Sequence, residues 1–179
     1  MPSKRPPWGL LAEYASPAAI YEACEKVRDA GYKRWDSYTP FPVHGLDKAM
    51  GLKSSKLPFI VLVGAIIGGT SGMALQYWTS VVDYPWVVSG KPMFSWPAFL
   101  PVTFELTVLC GALGAVLGML GLNKLPQYYH SLFHSKRFER VTDDKFFIAI
   151  ESDDPKFDVD KTAAFLREIG AIHVERVKE

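Results

Sequence analysis

Two stretches of this chain cannot be fitted into an ordinary soluble domain of its size. From Leu57 to Val82 there are 26 consecutive positions without a charge, and from Pro92 to Asn123 there are 32 with a single one, Glu105. A helix needs about 20 mostly apolar residues to cross a bilayer, so each stretch is long enough. What remains is two flanking pieces, residues 1–56 and 123–179, each too short to build a robust core by itself. A soluble globular enzyme is excluded on this ground. The net charge of +1 gives no reason to expect a nucleic-acid partner. Two cysteines, Cys24 and Cys110, supply neither a disulfide framework nor a cysteine-rich metal or haem site. Met1 to Gly9 holds no apolar run of the kind a secretory signal requires.

Basic residues in the flanks set membrane orientation. Lys48, Lys53 and Lys56 precede the first stretch, and Lys124, Lys136, Arg137 and Arg140 follow the second, whereas the connecting loop carries only Lys91. The expected arrangement is helices over 57–82 and 97–122, a short periplasmic loop over 83–96, and both termini in the cytoplasm. Tyr77, Trp78, Tyr84, Trp86, Phe94 and Trp96 cluster around the loop, as amphipathic rings do at headgroup level. Pro97 and Pro101 suit a first helical turn or a break near the membrane edge.

Gly64, Gly68 and Gly72 recur every four residues, with Gln76 continuing the row, and Gly111, Gly114 and Gly118 share one side of the second stretch. Small residues let helix backbones approach closely in lipid. The two stripes are candidates for packing on each other or on another protein. Glu105 lies some 120–180° around its helix from the second stripe and roughly 7 Å from the midplane. An ionisable group at that depth is expensive to expose to hydrocarbon and marks protein or water. A contact with another membrane subunit and a local bond to Gln76 or Thr103 both fit.

The flanks read as one unit used twice. Leu10 to Tyr14 is a strand, Ser16-Pro17 starts a helix bearing Ile20, Cys24 and Val27, Gly31 stops it, and Lys33 to Tyr38 is a second strand. Phe146 to Glu151 is again a strand, Asp158 or Asp160 caps a helix bearing Phe165, Leu166 and Ile169, Gly170 stops it, and Ile172 to Val177 alternates as a strand. Val27 to Gly31 (VRDAG) matches Leu166 to Gly170 (LREIG) position by position. Two β-α-β units make a ferredoxin-like sandwich. The expected fold is therefore an α+β membrane protein, a split ferredoxin-like cytoplasmic domain with a two-helix transmembrane hairpin inserted between its halves. The linkers, Leu46 to Leu52 and the aromatic run with Tyr128, Tyr129, His130 and Phe133, are assigned to the membrane surface.

Catalytic chemistry is hard to assemble. His130 and His134 stand four apart, but no further ligand lies nearby, and the paired aspartates fall at turns and caps. No Cys-x-x-Cys-His, iron–sulfur cysteine series, phosphate loop or G-x-G-x-x-G occurs.

A set of connected motifs carries a resemblance. Tyr38 to Asp47 (YTPFPVHGLD) precedes the first apolar stretch, followed by Gln76-Tyr77-Trp78, Asp83-Tyr84-Pro85, Gly90-Lys91-Pro92 and Ser95 to Phe99 (SWPAF). Pro101 to Thr107 (PVTFELT) enters the second stretch. Leu125-Pro126, Tyr129-His130, Phe138, Asp144 to Phe147 (DKFF) and Ile150-Glu151 come after it. The sequence resembles the ActD subunit of bacterial alternative complex III, a quinol-oxidising respiratory assembly, from Gly9 to Val177. The resemblance implies a cofactor-free subunit without catalytic, cofactor-binding or metal-binding residues of its own. Haem c, iron–sulfur clusters and quinol are then expected on partners: cytochrome c subunits, an iron–sulfur subunit and polytopic quinol-oxidising membrane subunits, the last being the packing neighbours in the bacterial inner membrane. Two other functions stay open beside this one, a proton pathway through Glu105 and a free-standing membrane sensor with a ferredoxin-like domain.

Overall fold

The computed structural model describes residues 7–178. Met1 to Pro6, most of the segment read for a secretory signal, lie outside the described residues, as does Glu179. The chain divides into two compact units. One takes the residues up to Lys53 together with those from Tyr128 onward, and the other is Ser54–Gln127.

The first unit holds four strands, β1 (Gly9–Tyr14), β2 (Trp35–Tyr38), β3 (Phe146–Glu151) and β4 (His173–Val177), and three helices, α1 (Pro17–Asp29), α2 (Leu46–Met50) and α5 (Val159–Glu168). The strands form one sheet in the order β2-β3-β1-β4, with every neighbouring pair antiparallel. Each half of the chain thus contributes one central and one edge strand, and the halves meet where β1 pairs with β3, Leu10 opposite Ile150 and Tyr14 opposite Phe146.

The two crossover helices begin and end alike. Ser16 Oγ accepts from the Ala19 N–H at 3.2 Å, with Pro17 just inside the helix. Asp158 Oδ1 accepts from the N–H groups of Asp160 and Lys161 at 3.1 and 2.9 Å. At the other ends, Gly31 (φ +82°) donates to Arg28 O while Tyr32 donates to Val27 O, and Gly170 (φ +104°) donates to Arg167 O while Ala171 donates to Leu166 O. Both are the paired C-terminal bonds that a left-handed glycine permits. This explains the matched pentapeptides: Val27 and Leu166 are the fully buried residues three places before each cap, and the glycines are the stops.

Alternate residues of the central strands point to opposite faces, and here both faces are covered. Leu10, Ala12, Tyr14, Phe146, Ile148 and Ile150 pack with Ile20, Cys24 and Val27 of α1 and Leu166 of α5. On the other side Leu11, Phe147, Ala149 and Val177 are closed over by Leu132 and Phe138, from two short 3₁₀ turns at Ser131–His134 and Arg137–Thr142. The membrane-surface reading concerned Tyr128, Tyr129, His130 and Phe133, and the structure adds that their neighbours turn inward. Tyr128, Tyr129 and Phe133 are exposed, but Leu132 and Phe138 complete a core. Likewise α2 packs on α1, with Ala49 fully buried and the Arg28 guanidinium donating to the carbonyls of Lys48 and Ala49 at 3.1 and 3.0 Å.

Asp154 ties the two halves at their turns. Its Oδ2 accepts from the N–H groups of Lys33 and Arg34 at 2.5 and 2.8 Å, and its Oδ1 from the N–H of Lys156 at 2.8 Å. Burial opposes its ionisation, but these backbone donors and the Lys156 charge outweigh it and hold the carboxyl below the usual range.

The second unit is a hairpin of two long apolar helices, α3 (Leu57–Tyr77) and α4 (Trp96–Leu122), with α3 prolonged by a π-helical stretch over Trp78–Asp83. Both are long and apolar enough to cross a membrane. Pro97 sits in the first turn of α4 as expected, whereas Pro101 lies inside the helix, which runs through it without a break.

Candidate functional site in the apolar hairpin

The glycine stripes meet. A side chain on Gly64 would come within 2.9 Å of Cys110 O, and one on Gly68 would collide with Leu106 O and stand 2.7 Å from Cys110 Cβ. Such distances are below van der Waals contact, so the α4 backbone passes where side chains would otherwise be. Gly72 faces Leu106 and Thr103, Gly111 faces Ala65 and Val61, Gly114 faces the Ile60 backbone, and Gly118 faces Leu57 and Ile60. All six glycines thus lie on the seam between α3 and α4, leaving the outer surfaces of both helices for something else.

Gln76 closes the loop end of that seam. Its Nε2 donates to Phe99 O at 3.0 Å and Thr103 Oγ1 at 3.1 Å across the hairpin, and to Gly72 O at 3.1 Å on its own helix. Several hydroxyls bond within their own helices: Thr70 donates to Ile66 O at 2.7 Å, Ser71 to Gly68 O at 3.0 Å and Thr107 to Thr103 O at 2.7 Å. In a medium without water such local bonding is the available remedy for a polar group.

Glu105 differs from these. It is exposed on the face of α4 turned away from the seam, beside the exposed Val102, Val108 and Leu109. Among the described residues no hydrogen bond or ion pair reaches it, and the amide of Gln76 is occupied by other acceptors. The structure therefore brings Gln76 and the glycines together and leaves Glu105 apart, so the local bond to Gln76 or Thr103 is not formed.

The histidines do not converge on a metal. His130 stacks edge-on against Trp8 at 5.0 Å and accepts the Leu132 N–H at Nδ1, while His134 lies against the Tyr129 ring at 5.2 Å. Among the described residues no group of three or more His, Cys, Asp or Glu side chains could hold a metal ion. Cys24 is fully buried, and burial chiefly pushes its thiol up to about 12, with a hydrogen bond to Ser37 pulling the other way. A thiol so held is not a nucleophile at neutral pH.

One charged group escaped the sequence reading. Glu13, on β1, is buried on the sheet face covered by the 3₁₀ turns and pairs with Arg137 at 3.0 Å and Lys145 at 3.4 Å. The signal was a lone acid in an otherwise apolar strand, GLLAEY. With Arg137 it pins the covering segment to the sheet.

These features define a two-part chain, an α+β sheet unit carrying a hairpin of two candidate membrane helices. Comparison with known families identifies it further: the chain belongs to the family described as "Alternative complex III, ActD subunit", which matches residues 8–176. It is thus a subunit of a respiratory quinol-oxidising membrane complex, with the other subunits of that complex as its partners. Comparison with curated proteins gives no match.

Proposed function

We propose that this chain is a non-catalytic, cofactor-free assembly subunit that packs against a polytopic membrane subunit of the complex through the Glu105 face of α4. In this reading 57–82 and 97–122 cross the bacterial inner membrane, 83–96 lies on the periplasmic side, and 1–56 and 123–179 reunite in the cytoplasm as a ferredoxin-like domain. The strand order and the two β-α-β halves support that fold, and the excess of basic residues in the flanks supports that orientation. Haem c, iron–sulfur clusters and quinol are carried by the partner subunits.

The observation that carries the proposal is the carboxylate of Glu105, without a partner among the described residues, on an exposed apolar helix face. A charge or carboxyl group there is costly in lipid and calls for a donor from a neighbouring chain. Replacing Glu105 with Leu should leave the hairpin inserted but reduce recovery of the chain with the haem-containing subunits by about tenfold on native gels of solubilised membranes. Equal co-migration of wild type and Glu105→Leu would end the proposal.

The same observation favours a second reading, in which Glu105 relays protons between water and the neighbouring subunit. Glu105→Gln keeps a hydrogen-bonding side chain but cannot ionise. The assembly reading expects normal assembly and unchanged proton release per quinol, whereas the relay reading expects normal assembly with reduced proton release.

A further inference from the structure

The loop end of the hairpin contains a cavity that packing between helices does not use. It is a half-open hollow of about 450 Å³, within the range of roughly 300–1,000 Å³ common for small-ligand sites. Its walls come from the π-helical stretch (Thr79, Ser80), the loop (Tyr84, Trp86, Lys91) and the start of α4 (Phe99). The α3 helix proper has 21 residues, which at 1.5 Å each matches the ~30 Å hydrocarbon layer. The π-helical stretch therefore falls in the headgroup layer, and π-helical turns are frequent at functional sites.

Two donors in this cavity lack partners. Lys91 is the sole basic residue of the loop, and its ammonium has no hydrogen bond or ion pair among the described residues. Its backbone is fixed by a turn through Ser89 (φ 53°) and Gly90 (φ 73°), with Lys91 N donating to Val88 O at 3.1 Å. Ser80 likewise has no side-chain partner among the described residues, while the Thr79 hydroxyl is committed to Leu75 O and Gln76 O. An ammonium and a hydroxyl carried by residues that line one cavity select anionic oxygen. The rings of Tyr84 and Trp86, stacked at 5.8 Å, give the same cavity an amphipathic wall of the kind found at headgroup level. None of the lining residues is a carboxylate or an imidazole able to accept the protons a quinol must release.

We propose that this cavity seats the phosphodiester headgroup of a bilayer phospholipid, with its phosphate on Lys91 Nζ and Ser80 Oγ and its acyl chains along the exposed apolar surface of the hairpin. The proposal rests on the hairpin crossing a bilayer, and alkaline carbonate extraction of the membranes checks that point separately.

The test is native mass spectrometry of the full chain in detergent, titrated with phosphatidylglycerol, with diacylglycerol of the same tails, or with sodium phosphate. One phosphatidylglycerol should bind the wild type in preference to diacylglycerol. Lys91→Met should weaken that binding about fivefold, the worth of one lysine at an anionic surface, and Lys91→Arg should retain it. Equal binding by wild type and Lys91→Met, or equal binding of diacylglycerol, would overturn the proposal. Displacement of the lipid by millimolar phosphate would also overturn it, by making the site one for a free anion.

Discussion

The two units of this chain meet the problem of polar groups in opposite ways. In the sheet unit, charge is buried and answered: Glu13 by Arg137 and Lys145, and Asp154 by three backbone N–H groups. In the hairpin, the hydroxyls of Thr70, Ser71 and Thr107 turn back on their own helices and Glu105 has no answer among the described residues. The sheet unit is sealed on both faces, whereas the hairpin buries little beyond a seam of glycines and leaves Leu, Ile, Val and Phe side chains outward. A sealed unit carries its own stability. An unsealed one takes it from its surroundings, which on the proposed reading are lipid and neighbouring chains. On the proposed reading, the difference gives stability to the sheet and recognition to the hairpin.

The largest expected effect breaks the hairpin. Gly68→Leu sets a branched side chain against the Leu106 carbonyl and the Cys110 side chain. Because backbone cannot yield as a flexible side chain does, the cost should reach about 3 kcal/mol, the upper part of the overpacking range. Ala65→Cys with Gly111→Cys reads this out, since a side chain on Gly111 would lie 3.6 Å from Ala65 Cβ, within disulfide reach. With Cys24 and Cys110 replaced by Ser, oxidation should give an intramolecular bridge, which Gly68→Leu should abolish. A bridge formed equally well with Leu at position 68 would mean that the glycine seam does not set the approach of the helices.

A middle-sized effect probes the sheet unit. Asp154→Ala leaves the N–H groups of Lys33, Arg34 and Lys156 without their acceptor, a loss of about 2 kcal/mol. Hydrogen exchange of β1 and β3 amides in the full chain in detergent measures it without disturbing the hairpin. The sign with pH follows from the lowered carboxyl. Asp154 contributes fully above the ordinary aspartate value of about 3.9, and its contribution is lost as pH falls through the lower folded value. Asp154→Asn should therefore flatten the acid limb of the protection profile. An unchanged limb would show that this carboxylate does not join the halves.

How much of this could be read from residues alone depended on how local the physics is. The helix stops were legible because Gly31 and Gly170 act within one turn of chain, and the same pentapeptide pattern precedes both. The two long apolar helices were legible because length and lack of charge mark a candidate span. Leu132 and Phe138 were not, because an aromatic, aperiodic run suits a membrane surface and a core equally, and only the distant sheet decides between them. The π-helical stretch was hidden for a different reason, since it differs from α-helix only in which carbonyl each N–H reaches. Glu105 was legible as an anomaly, and the hairpin geometry adds that no described residue of its own chain resolves it.

The smallest expected effect sharpens the comparison from its other end. Arg176 donates to Asp160 at 2.9 Å, joining β4 to α5, in the same unit as the Asp154 clasp. Both partners are largely exposed, with side-chain exposures of 63% and 90%, so water screens the attraction and ordering the two side chains offsets much of it. Arg176→Ala should change the protection of β1 amides by no more than about 0.5 kcal/mol, against the several-fold larger loss for Asp154→Ala at neutral pH. If the two losses were equal, burial of the polar group would not be what separates a structural clasp from a surface pair, and the contrast between the sealed sheet and the open hairpin would need another physical basis.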